Sequence, residues 1–180
     1  MVPRELKSVT FTRKATGDAL TVAANDKAKL TTYAATKAAE ADCNIIFIGT
    51  NGGWGMDENN KKPSELIGII RRMTENTKNS SNCLVIGLTT GTASGRRELD
   101  KAMAEAFGDR FINMREYLSC EETLAKASLS ATDRDKELIA VGCVPQSFWK
   151  SVDDSTHMND YGYRAMAEKV YSQMLKVFEF

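Results

Sequence analysis

Two unbroken apolar runs, separated by a segment of helical periodicity, constrain the fold more than any other feature of the sequence. Asn44-Ile45-Ile46-Phe47-Ile48-Gly49 and Cys83-Leu84-Val85-Ile86-Gly87-Leu88 show no polar residue at every second position. A strand with one wet face alternates, whereas a strand covered on both faces reads as a continuous run. Between them Leu66, Ile69, Ile70 and Met73 recur at helical spacing behind Pro63, which suits a first helical turn because its missing N–H has no partner to lose there. The pattern then predicts a helix from about Gly95 to Phe107, with Leu99, Met103 and Ala106 on one face and a stop at Gly108. Phe111-Ile112-Asn113-Met114 reads as a third strand. Doubly buried strands alternating with helices predict an α/β fold, a short parallel sheet sandwiched between helices.

The flanks read differently. Ser8–Arg13 and Asp18–Val22 form strand-like runs around the turn Ala15-Thr16-Gly17 and predict a β-hairpin, and the alanine-rich stretch Thr31–Glu40 predicts a helix. Short helical pieces and a turn before Pro145 are expected between Tyr117 and Lys150. A final helix begins after Gly162, with Met166, Val170, Met174 and Val177 on its apolar face. The expected organisation is a hairpin over residues 1–25 and an α/β domain over 26–180, together one compact unit of a size usual for a single domain.

Composition excludes several classes of function. The 24 basic and 24 acidic residues cancel, so overall charge calls for neither nucleic acid nor an anionic membrane. No apolar run approaches the ~18 residues of a membrane helix, and the start MVPRELKSVT lacks the layout of a signal peptide, which leaves cytoplasm as the default, with an exported or phage-associated protein the alternative if a further region lies upstream. The four cysteines are far apart and form no C-x-x-C pair, so they read as reduced structural thiols, and no metal or cofactor is expected.

Open α/β sheets bind ligands outside the carboxyl ends of their strands. The loop Gly49-Thr50-Asn51-Gly52-Gly53-Trp54-Gly55 is there, with glycines that let the backbone turn tightly and an Asn51 amide able to donate hydrogen bonds. It does not match G-x-G-x-x-G, and Thr89–Arg97 lacks the spacing and lysine of a P-loop. The only histidine, His157, follows Asp154 by three residues in Asp154-Ser155-Thr156-His157. Histidine is the side chain best suited to shuttle protons near neutrality, and a carboxylate can fix its tautomer. Asp153 is the rival carboxylate.

GTNG after a buried strand, DSTH near the C-terminus and a last helix entered through Asn159-Asp160-Tyr161-Gly162-Tyr163 together resemble the third and fifth sequence blocks of the SGNH, or GDSL-type, hydrolases. Further similarity, to a bacterial and phage-associated branch with a β-rich insertion, lies in Phe11-Thr12-Arg13 with Gly17, Arg115-Glu116-Tyr117-Leu118, Thr132-Asp133-Arg134-Asp135 and Val144-Pro145. The resemblance implies a flavodoxin-like three-layer fold and hydrolysis of acyl or acetyl esters of small molecules or glycans by a Ser-His-Asp mechanism. It makes His157 the general base, Asp154 its orienting partner and Asn51 an oxyanion donor. Gly52 and Trp54 would contact substrate, with packing against the adjacent helix the equal alternative for Trp54.

Two departures stand out. Gly52 replaces the aspartate usual after this asparagine, and the G-D-S nucleophile block is not found. Gly17-Asp18-Ala19-Leu20 mimics that block, but too few residues separate it from Gly49 for the intervening crossovers. Ser155 and Ser94 have no motif behind them. The expectation is therefore a C-terminal portion of a longer hydrolase, inactive alone. The run 44–49 would present an unpaired apolar edge through which the segment could self-associate. A non-catalytic binding module derived from such a hydrolase is the alternative.

Overall fold

The computed structural model describes Gly17, residues 33–54 and residues 61–178. The chain divides into two units, Met1–Thr32 and Tyr33–Phe180, and every described helix and strand belongs to the second. The expected N-terminal hairpin, with the GDAL stretch, lies outside the described residues apart from Gly17.

Helix α1 (Tyr33–Glu40) leads into β1 (Asn44–Ile46), α2 (Pro63–Thr74), β2 (Cys83–Ile86), α3 (Ala93–Phe107) and β3 (Phe111–Ile112). The three strands form one parallel sheet in the order β1-β2-β3, with Asn44 opposite Cys83 and Val85 opposite Phe111. The fold is thus mixed α/β around a short parallel sheet. The central strand β2 is buried at every position, and its alternate residues serve two different cores. Cys83 and Val85 pack with Leu66, Ile70, Leu99, Met103 and Phe107 of α2 and α3. Leu84 and Ile86 pack with Met114, Leu118, Phe148, Met166 and Val170 from the C-terminal elements. Two covered faces are the physical reason the run CLVI carries no polar alternation, and each fully buried aliphatic or aromatic side chain contributes about 1.5–3 kcal/mol. Cys43 and Cys83 belong to opposite faces, and all four cysteines are free thiols.

The C-terminal half comprises α4 (Met114–Leu118), α5 (Glu121–Lys126), α6 (Asp133–Ala140), an antiparallel hairpin of β4 (Trp149–Ser151) and β5 (Asp154–Met158), and α7 (Asp160–Val177). Buried polar groups tie these pieces together. Arg115 donates to Asp100 of α3 at 2.6 Å and to the Gly142 carbonyl at 2.6 Å, joining three segments through one buried guanidinium. Thr132 and Asp135 form a reciprocal capping box at the start of α6. The fully buried Asp135 carboxylate also accepts from the Ser147 N–H at 2.9 Å and its hydroxyl at 2.7 Å. Burial alone would raise this carboxyl, but the hydrogen bonds from Ser147 and Thr132 outweigh it and hold it below the usual carboxylate range.

Several boundaries differ from the sequence reading. The strands are shorter than the apolar runs, and Met114 begins a helix rather than ending a strand. Helix α7 starts at Asp160, before Gly162, because the Asn159 side chain caps it by accepting from the Gly162 N–H at 3.0 Å. Gly162 sits inside the helix for want of space: a Cβ there would lie 2.9 Å from both the Phe148 carbonyl oxygen and Met158 Cβ. The β4–β5 hairpin has no counterpart in the sequence pattern. Among the described strands β1 pairs only with β2, and its central residue Ile45 and the following Phe47 are 50% and 42% exposed, an apolar edge. No described helix is long and apolar enough to cross a membrane.

Candidate functional site

Asn51 follows the sheet's first strand in a short 3₁₀ turn, Thr50–Gly52. Gly49 enters that turn with φ of +125°, a conformation that side chains rarely adopt, and the N–H groups of Gly52 and Trp54 fold back onto its carbonyl at 3.0 and 3.2 Å. Gly52 has its own reason to lack a side chain. A Cβ there would come within 2.5 Å of the Trp54 ring, so this arrangement excludes the aspartate common in the resembling family. Trp54 is buried against Leu66 and Ile70, its indole N–H reaches the Lys62 carbonyl at 3.5 Å, and the Lys61 ammonium stands 4.5 Å from its ring centroid. It also borders a cavity of about 370 Å³ lined by Phe47, Gly49, Asn51, Gly52, Leu66 and Ile69 among others. Trp54 therefore both packs on α2 and forms a cavity wall, while Asn51 is exposed.

The hairpin presents the second group. His157 Nδ1 lies 3.0 and 2.9 Å from the two carboxylate oxygens of Asp154, and the His157 backbone N–H donates to Asp154 Oδ1 at 3.1 Å. Asp154, not Asp153, meets the imidazole; Asp153 lies at the exposed turn between the strands. The His157 backbone N–H, then its ring, then the Thr156 N–H hold the Asp154 carboxyl below the usual range against a small opposing effect of burial. An ionised carboxylate at Nδ1 makes that nitrogen the donor and leaves Nε2 as the lone-pair nitrogen. Lys150, one strand over, stands 3.9 Å from Asp154 Oδ2. His157 borders a cavity of about 560 Å³ together with Lys150, Asn159, Asp160, Tyr161 and Tyr163. Lys150 and the two tyrosines escape a reading of the sequence; the tyrosines stand in the NDYGY motif, but nothing in the linear pattern gives them a role.

The hairpin is anchored from behind. The Asn159 side chain donates to the Ser147 carbonyl at 2.8 Å, its backbone N–H donates to the Phe148 carbonyl at 2.9 Å, and the Trp149 indole donates to the Val144 carbonyl at 3.0 Å. Ser147 is held in turn by Asp135. The similarity motifs Thr132–Asp135 and Val144-Pro145 thus build the support under His157.

Both candidate regions lie toward one end of the sheet. Asn51 follows the carboxyl end of β1. Gln173 in α7 donates to the Asp109 carbonyl at 2.8 Å, just before β3 begins, so α7 runs against the strands. Its start and the hairpin lie about 20 Å away along the helix, toward the carboxyl end. The structure nevertheless gives Asn51 and His157 separate cavities with no lining residue in common, and no serine is among the residues that line either one. Ser94 sits in the first turn of α3 beside Thr92, and Ser155 is exposed on β5. No group of three or more metal-ligating side chains is present among the described residues. No protein-family model matches the chain, and no curated protein or solved structure matches it.

Proposed function

We propose that the chain carries the acid–base part of an SGNH/GDSL-type hydrolase of flavodoxin-like fold that cleaves acyl or acetyl esters, with the serine supplied from outside this segment. The observation that carries the reading is the imidazole held by both Asp154 oxygens with Nε2 left for exchange. In the proposed reaction His157 Nε2 takes the proton of the serine hydroxyl as the oxygen attacks the ester carbonyl, and Asp154 stabilises the resulting imidazolium. His157 then returns the proton to the departing alcohol, and water releases the acyl group by the same two steps. Asn51 donates to the oxyanion, and Gly52 and Trp54 border the acyl group.

Hydrolysis of p-nitrophenyl acetate, by the chain alone and together with a G-D-S-bearing segment encoded beside it, tests this. Turnover is expected only for the pair, lost in His157→Ala and reduced roughly 100- to 1000-fold in Asn51→Ala. Turnover by the chain alone that vanishes in His157→Ala and in one serine variant would place the nucleophile inside it and overturn the divided site. The separation of Asn51 and His157 into different cavities favours a second reading, a binding module that retains the pair without chemistry. Inertness of every combination would support that reading.

A further inference from the structure

Tyr161 borders a second cavity besides the one at His157. This smaller space, about 200 Å³, is walled by Tyr117, Lys126, Ser128, Arg164 and Glu168 as well. Lys126 and Arg164 form no ion pair with a described residue, and Lys169 stands 5.5 Å from the Tyr117 ring centroid, so positive charge is in surplus over the single Glu168 carboxylate. Burial first, and then Glu168, pushes the Tyr117 phenol above its usual range. That phenol therefore remains a neutral hydrogen-bonding group and adds no negative charge.

Ser128 is the unusual member. It is the one described non-glycine residue with positive φ, at 61°. It closes α5, where its N–H donates to the Ala125 carbonyl at 2.9 Å and the Leu129 N–H donates to the Leu124 carbonyl at 2.9 Å. Glycine is the usual occupant of that position because a side chain is disfavoured in the left-handed conformation. Serine keeps a hydroxyl on the cavity wall that glycine would lack, at a cost in local backbone energy.

We infer that this cavity binds an anionic group, phosphate or carboxylate, carried by the ligand whose ester end reaches His157 past Tyr161. The guanidinium of Arg164 can donate two parallel hydrogen bonds to such a group, Lys126 supplies a point charge and Ser128 a neutral donor. The link to an ester rests on the proposed hydrolase reading; the anion site itself does not.

Titrating the full chain with inorganic phosphate, and separately with acetate, at constant ionic strength tests the site by backbone amide NMR. Saturable shifts are expected at Lys126–Ser128 and Tyr161–Glu168, with Arg164→Gln weakening binding ~10-fold and the distant Lys176→Gln leaving it unchanged. Ser128→Gly should raise Tm by ~2–4 °C while weakening binding a few-fold, a split that a purely structural serine would not produce. Saturation by phosphate alone assigns a phosphoryl group, and saturation by acetate alone a carboxylate. Shifts that never saturate, or an Arg164→Gln titration identical to the unaltered chain's, would overturn the proposal. Because binding is read without turnover, an inert esterase assay would leave this result standing, and failure here would leave the ester reading intact.

Discussion

The turn that carries Asn51 and the hairpin that carries His157 lie toward the same end of the sheet and are built in opposite ways. The turn closes on itself: its glycine N–H groups bond to Gly49 and Thr50 within the loop, and Trp54 is its one deep anchor. The hairpin has little internal pairing, yet it is fastened through Asn159, Ser147 and Asp135 to α6 and α7. Local closure fixes the path of a backbone but leaves an exposed side chain free to turn, whereas support from distant elements fixes where a side chain stands. On this comparison the Asp154–His157 pair is held in place from behind, and the Asn51 side chain, exposed on its turn, has no such support among the described residues.

The largest effect is expected from cutting the support under the hairpin. Asp135→Asn replaces one of the two accepting oxygens by a donor that must face the N–H of either Thr132 or Ser147, and should cost about 2–4 kcal/mol in urea denaturation. Because the Asp135 carboxyl is held low in the folded chain, its contribution is complete above the ordinary aspartate value of about 3.9 and disappears as pH falls through the lower folded value. The gap in stability between the two proteins should therefore be constant near neutrality and narrow only in acid; a gap that widens on acidification would contradict the hydrogen-bond account.

A smaller effect is expected from Gly162→Ala. Crowding against Phe148 and Met158 costs about 1–3 kcal/mol, offset by up to ~1 kcal/mol of better helix propensity, for a modest net loss. Its local signature is displacement of the His157 resonances, readily followed because this is the only histidine. The smallest effect belongs to the other region: Asn51→Ala, at an exposed side chain, should change stability by less than ~0.5 kcal/mol. A larger loss on calorimetry would mean that the turn depends on that amide and would erase the contrast.

Where burial is two-sided, the sequence is easy to read. The run around Val85 is covered on both faces and points to the central strand, whereas the similar run around Ile46 leaves Ile45 and Phe47 exposed and is covered on one side only; Pro63 and Gly108 mark a helix start and a helix end because each acts through its own backbone. The β4–β5 hairpin is hidden, since only Trp149 and Met158 of its paired residues turn inward and the rest are wet, leaving no period to detect. Gly162 misleads for a related reason: it looks like a helix breaker, but the contact that requires it comes from Phe148, far along the chain. The Asp154–His157 spacing is legible because the pair is local. The support from Asp135 is not, because Ser147 lies twelve residues away and only folding joins them.

The close approach of Gly162 to Phe148 also sets how this protein can be divided or grafted. Strand β5 is continuous with a helix whose first turn touches the segment leading into β4, so the hairpin and α7 form one mechanical part. A split point placed between them would expose the Phe148 and Met158 surfaces and release His157. A split placed ahead of Thr132 would carry the capping box, Ser147, the hairpin and the helix away together. For circular permutation or transfer to another scaffold, the piece that keeps His157 in place is the whole of residues 132–178.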